Sequence, residues 1–228
     1  MDRRQLRSAF AVAAILAAGP AVAQEGPEVS FNVGVATDYV FRGVSQTDED
    51  PQVFGGVDAT AGQFYVGAWA SNVDYGDGTD LEYDLYAGYT PTIGAVSLDF
   101  GVYFFGYVDA PTGADYDYVE LQATASLPLG PATLGAGVYH APDSYGGVDH
   151  STYVEINGAY SPRDNISFSA ALGRQTFDGP GDYTTWNIGV GYRLTETLGL
   201  DLRYHDTDRH RFGETYGSRV AASLTATF

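Results

Sequence analysis

The chain has 228 residues and a formal net charge of −18; it contains no cysteine and no lysine, so every base is an arginine. That balance excludes nucleic acid as a partner, because phosphate binding needs a basic stripe, and the missing cysteines exclude a disulfide framework or a thiolate metal site. Glycine (29 residues) and tyrosine (18) are abundant, a composition that suits membrane-spanning strands but also fits one soluble all-β domain.

Residues 1–7 carry Arg3, Arg4 and Arg7, followed by a small apolar run at 9–18 and the small-x-small pattern Ala21-Val22-Ala23. This predicts a secretory signal peptide over 1–23, cleaved after Ala23, and a single mature domain over 24–228. Cleavage would remove three arginines and Asp2, making the chain more acidic. The apolar run is short of the roughly 20 residues a spanning helix needs. No later segment spans as a helix either, so entry into a membrane requires a closed barrel, in which every backbone group is paired.

Twelve alternating runs follow, near 29–41, 51–60, 63–72, 80–90, 95–107, 115–127, 131–140, 151–161, 164–175, 183–194, 197–206 and 217–228. Successive strand residues point to opposite faces. Leu81, Tyr83, Leu85, Ala87 and Tyr89 thus oppose Glu82, Asp84, Tyr86 and Gly88, and Trp186, Ile188 and Val190 oppose Asn187, Gly189 and Gly191. Two runs are less clean: Tyr103, Phe105 and Tyr107 occupy the row that should be polar, and 131–140 fits either phase. The last run ends on Phe228 with Ala226, Leu224, Ala222 and Val220 on its row, as the closing strand of an outer-membrane barrel does. Connections alternate between long (42–50, 73–79, 108–114, 141–150, 176–182, 207–216) and short (61–62, 91–94, 128–130, 162–163, 195–196). Even strand number, strands of about ten residues and this alternation together define a transmembrane antiparallel up-and-down β-barrel of about twelve strands. A β-sandwich would not combine them.

Within 31–73 the elements Asp38-Tyr39, Phe41-Arg42-Gly43, Ser45-Gln46-Thr47, Gly55-Gly56-Val57-Asp58 and Trp69-Ala70-Ser71-Asn72-Val73 stand together. Glu82-Tyr83-Asp84 and Ala87-Gly88-Tyr89 follow. This pattern resembles the opening of the TorF-like family of proteobacterial outer-membrane porins. The resemblance is strongest over the first 90 residues, implies a barrel with a channel role, and brings no catalytic residues.

By phase, Asp38, Asp58, Glu82, Asp84, Asp99, Glu120, Glu155 and Asp201 face the lumen, opposed by Arg193, Arg203 and Arg219. Such an interior attracts cations and repels anions. The alternative is that these charges pair across the lumen and fill it, as side chains do in small barrels. Trp69, Tyr86, Tyr103, Phe105, Tyr107, Tyr118 and Tyr153 are also assigned inward, where ring faces can bind cations or sugars, or simply pack. Phe31, Tyr39, Phe41, Tyr89, Tyr160, Trp186, Tyr192 and Tyr204 are assigned to outward interfacial girdles.

The outer connections are acidic. Residues 73–80 (VDYGDGTD) resemble a loose calcium loop that lacks the terminal glutamate of an EF-hand. Solvated loop charge, or lipopolysaccharide contact bridged by divalent ions, is the simpler account. Asp208-Arg209-His210-Arg211 offers one short cluster for lipid phosphate. An outer-membrane lipid-modifying enzyme needs a serine held by a histidine. Against that, His140, His150, His205 and His210 lie on the loop side, and no nucleophile-elbow motif is present. The expected function is passive diffusion of small solutes with cation preference, without cofactor, metal or catalytic residues. A non-conducting structural or adhesive barrel with a filled lumen is the second reading. Expected partners are outer-membrane lipid and lipopolysaccharide, small solutes, and the barrel-assembly machinery through the C-terminal strand. Porins often form homo-oligomers, but no apolar seam distinct from the lipid-facing row stands out.

Overall fold

Period-two alternation becomes backbone pairing in the computed structural model, which describes residues 26–228. The expected signal peptide lies outside the described residues. Twelve wall strands run β1 Glu28–Ala36, β2 Gln52–Ala61, β3 Phe64–Asn72, β4 Leu81–Tyr89, β5 Val96–Val108 and β6 Tyr118–Leu129. They continue as β7 Ala132–Ala141, β8 Ser151–Arg163, β9 Ile166–Phe177, β10 Tyr183–Arg193, β11 Leu198–Thr207 and β12 Arg219–Thr227. Each pairs antiparallel with the next, and β12 pairs with β1, so the sheet closes. At that seam Asn32 lies opposite Thr227 and Ala36 opposite Ser223. Phe31 and Phe228 exchange backbone bonds of 3.0 and 2.9 Å. Closure leaves no unpaired edge, the condition for placing strands in lipid.

The wall is inverted relative to a soluble protein. Phe31, Val33 and Val35 on β1, Ile188 on β10, and Val220 and Leu224 on β12 are exposed on the outer face, whereas the largest fully buried side chains are the polar Gln52, Thr47, Thr79, Thr207 and Ser71. The ambiguous seventh run takes the phase that turns Leu134 and Val138 outward and Tyr139 and Ala141 inward. The long connections all emerge at one end, and the short ones lie at the other end with both termini. Inward tyrosines explain part of the composition: Tyr65 lies over Gly88, Tyr86 over Gly67 and Tyr153 over Gly173, each where a Cβ would collide with the ring. Paired glycines let wide rings lie flat along the wall.

One boundary departs from the sequence reading. The first run was expected to continue to residue 41, but β1 stops at Ala36. Asp38 is caught there by the Ser45 and Thr47 hydroxyls, at 2.6 and 3.1 Å, and the chain turns off the wall. Tyr39 and Phe41, assigned to an outward girdle, therefore sit inside: Tyr39 is 7% exposed in a cluster with Phe54, Trp69 and Val73, and Phe41 packs against Phe105. The other girdle residues, including Phe31, Tyr89, Tyr160, Trp186, Tyr192 and Tyr204, are on the outer face.

Candidate functional site

The connection between β1 and β2 folds into the barrel as a short hairpin. Val40 pairs with Ser45 and Phe41 with Val44. The two turn residues, Arg42 and Gly43, have φ of 48° and 83°, the pair of positive values that defines a type I′ turn. The connection satisfies its own buried backbone: Thr47 Oγ1 accepts from Tyr39 N–H and donates to the Asp50 carbonyl, while Ser45 Oγ accepts from Glu49 N–H. Three of the elements that carry the family resemblance form this insertion.

The tip crosses to the far wall. Arg42 donates to both oxygens of Glu120 on β6, at 2.7 and 2.8 Å. Its guanidinium carbon lies 4.7 Å from the ring centre of Phe41, 5.0 Å from Tyr139 and 4.5 Å from Tyr153. Side-chain exposure is 6% for Arg42 and 4% for Glu120. Burial works against the guanidinium charge, but the Glu120 carboxylate more than offsets it and holds the Arg42 pKa above the ordinary arginine value. Gly43 abuts Thr185 of β10 so closely that a Cβ has no room. On the near side the Tyr39 hydroxyl donates to Glu82 at 2.8 Å. Burial, reinforced by Glu82 and Asp84, raises the Tyr39 pKa well above normal, so the phenol stays a donor.

Around this hairpin the expected lumen residues fall into three settings. Asp38 and Arg219 are joined at 3.0 Å, and Glu49 adds a contact of 3.4 Å to Arg219. Arg203 reaches Asp201 at 3.2 Å and also holds Asn187 (2.6 Å) and Ser169 (2.8 Å). Arg193, expected to pair with an acid, instead donates to the Asp164 backbone carbonyl at 2.6 Å. Other inward carboxylates accept from neutral donors. Asp58 accepts from Tyr86 (2.7 Å), Asp99 from Tyr65 (2.9 Å) and Gln122 (3.0 Å), and Glu155 from Tyr153 (2.8 Å) and Asn157 (3.0 Å). Asp84 is 9% exposed, and its Oδ1 has no hydrogen-bond partner. It lies across from Trp69 in register.

The expected inward aromatics fill much of the upper lumen. Tyr86 stacks on Tyr103, and Phe105 on Tyr118 with centroids 4.5 Å apart. Nearer the short-turn end, a cavity of about 20 Å³ opens among Glu155, Asn157, Ser169, Asn187 and Arg203, room for a water or two. Arg42 stands in the sequence only within the family resemblance and not among the lumen residues. The usable signal was Arg42-Gly43 between alternating pairs, but Arg-Gly is not one of the common I′ dipeptides.

The competing chemistries find little geometry. His150 faces Asp178 at 3.9 Å, while Ser151 Oγ accepts from Ser144. His205 is buried in the lumen, not on a loop, and His210 is engaged by Asp206 at 2.6 Å. In 73–80 two carboxylates are taken by protein donors: Asp74 accepts from Gly76 N–H, and Asp77 from Thr79 N–H and from the Tyr116 hydroxyl of the neighbouring outer connection. Among the described residues no group of three His, Asp or Glu side chains is placed to hold a metal ion.

Solved structures share this closed-barrel fold. The chain is similar to the KdgM porin (TM-score 0.62, 8% identity, covering 87% of this chain and 99% of that one). It is also similar to the NanC porin (0.58, 8%, 88% and 99%) and to an outer membrane channel from Pseudomonas putida F1 (0.56, 12%, 89% and 94%). At these identities the likeness concerns the fold. By sequence, the chain belongs to the family described as "Bacterial protein of unknown function (Gcw_chp)", whose model matches residues 20–228. No curated protein matches it.

Proposed function

We propose that this protein is an outer-membrane channel of a Gram-negative bacterium that passes small, preferentially cationic solutes by diffusion, with the inserted hairpin as its constriction. The long connections face outward and the termini the periplasm. The observation that carries the reading is the unbalanced charge of the wall. Arg42, Arg203 and Arg219 are matched to Glu120, Asp201 and Asp38, whereas Glu82, Asp84, Asp58 and Glu155 meet neutral donors or none. In a narrow path walled by low dielectric, surplus carboxylates raise the local cation concentration. The resemblance to TorF-like porins implies a channel role and is silent on the charge of the solute. KdgM has been solved in complex with oligogalacturonate, a polyanion. The acid surplus argues against carrying that ligand class over. The acidic outer connections suit lipopolysaccharide bridged by divalent ions, and β12 is the strand the assembly machinery would engage.

The second reading, a non-conducting filled barrel, is favoured by the hairpin itself, which packs the upper lumen and touches the far wall. Single-channel recording of refolded protein under a salt gradient separates the two. The expected result is a small conductance with a cation-selective reversal potential that moves toward zero in Glu82→Gln/Asp84→Asn. No conductance supports the filled barrel; an anion-selective potential, or one unmoved by these substitutions, rules out the assigned lining.

A further inference from the structure

We propose that the barrel wall around Glu120, Tyr139, Tyr153 and Gln175 is a binding site for alkylguanidinium and related organic monocations, occupied here by Arg42 of the chain itself. The arrangement around Arg42 carries the assignment. Two wall tyrosines present ring faces at 4.5 and 5.0 Å, inside the ~6 Å range over which an aromatic face attracts a cation. Glu120 grips the fork with both oxygens, the planar match that distinguishes guanidinium recognition from attraction to a point charge. Gln175 Oε1 lies 3.4 Å from Arg42 Nη1.

All four groups belong to β6, β7, β8 and β9, and none to the hairpin, which adds only the Phe41 ring. They are fixed by the wall: Tyr139 lies opposite Tyr153, and Tyr153 opposite Gln175, in register. The Tyr153 hydroxyl is tied to Glu155. Withdrawing the hairpin would therefore leave a cation cage open to the mouth of the barrel. The tethered occupant fits incompletely, since Arg42 Nε is buried without a hydrogen-bond partner. A free alkylguanidinium is not bound to that orientation. Below the cage the inward row of β8 continues through Glu155 and Asn157 to the cavity beside Arg203, so a cation leaving Glu120 meets a second carboxylate next.

The assignment deepens the channel reading and takes its physiological sense from it, yet binding is measurable without any current. Isothermal titration of refolded protein with ethylguanidinium chloride is the test. Removing a tethered competitor raises apparent affinity, so Arg42→Ala is expected to bind at least about tenfold more tightly than wild type. Neutral ethylurea should not bind, and adding Glu120→Gln to Arg42→Ala should abolish binding. Equal affinity in wild type and Arg42→Ala, or unchanged binding on adding Glu120→Gln, overturns the proposal. Arg42→Gln, which keeps a polar side chain, carries the same comparison if the alanine variant does not refold. Wild type gives an independent readout: ethylguanidinium, and not ethylurea, should accelerate chymotryptic cleavage after Phe41 of the hairpin, because the hydrophobic specificity pocket of that protease does not bind guanidinium, and an unchanged rate overturns the proposal. Binding without conductance refutes the channel and spares the site; conductance without binding does the reverse.

Discussion

Glu120→Gln should release the hairpin from the lumen. The substitution keeps the size of the side chain but strands the Arg42 charge, whose side chain is only 6% exposed. Breaking a buried ion pair by removing one partner costs about 3–5 kcal/mol. The tyrosine faces that remain can return about 1 kcal/mol of cation–π attraction, leaving a net penalty of about 2–4 kcal/mol. At tenfold per 1.4 kcal/mol, the inserted-to-released ratio falls roughly thirty- to seven-hundredfold. Trypsin reads this directly. The protein has no lysine, and the bond after Arg42 is shielded at the hairpin tip while the hairpin is inserted. Cleavage at that bond, followed by mass spectrometry on barrels whose folded gel mobility is intact, should accelerate by at least tenfold. A rate within a factor of two of wild type, in a folded barrel, would refute the idea that the Arg42–Glu120 pair holds the hairpin.

Gly43→Ala should also loosen the hairpin. Its φ of 83° disfavours a side chain and Thr185 occupies the Cβ position, for a combined cost of about 2–5 kcal/mol. Adding Thr185→Ala should restore part of the protection against trypsin, and no restoration would place the strain elsewhere. Ile188→Arg, at an outward site 61% exposed, should destabilise the barrel in lipid vesicles by about 2–4 kcal/mol on urea titration; a loss under about 1 kcal/mol would contradict the lipid-facing assignment of this row. In the connection between β3 and β4, the Thr79 amide and then the Tyr116 hydroxyl hold the Asp77 carboxyl below the ordinary aspartate range. Because the folded value is the lower one, this support is complete above the unfolded value and fades as pH falls through the folded one. Protection of the Thr79 amide from hydrogen exchange should drop over that acidic window, and constant protection down to about pH 2 would disprove the link.

The wall was legible in the sequence because its information is local. Period two sets the faces within a clean run, and the long-short rhythm of connections sets the ends, so Glu82, Asp84, Glu120, Glu155 and Arg203 could be phased without knowing what they touch. Their partners could not, because pairing inside a barrel joins residues far apart in the chain. Arg42 and Glu120 are separated by 78 residues, and Asp38 and Arg219 by 181. Tyr39 and Phe41 were misplaced for a related reason. They prolong the alternation of β1, and period two carries no sign that the chain has left the sheet. That departure depends on Asp38 meeting Ser45 and Thr47, a local polar cluster that alternation alone treats as the start of an ordinary outer loop.

The place where the hairpin leaves the wall has a bearing on how the barrel is made. It emerges from β1, the strand that must find β12 across almost the whole length of the chain, the slowest kind of contact to form. Its first buried residue, Asp38, is bonded to Arg219 on β12, and Thr37 N–H donates to the Ala222 carbonyl at 2.9 Å. Filling and sealing are thus one event with shared bonds. The Asp38–Arg219 bridge exists only when the last strand has met the first, so an unsealed intermediate holds its hairpin by fewer anchors, and a sealed barrel whose hairpin withdraws gives up a brace across its own seam.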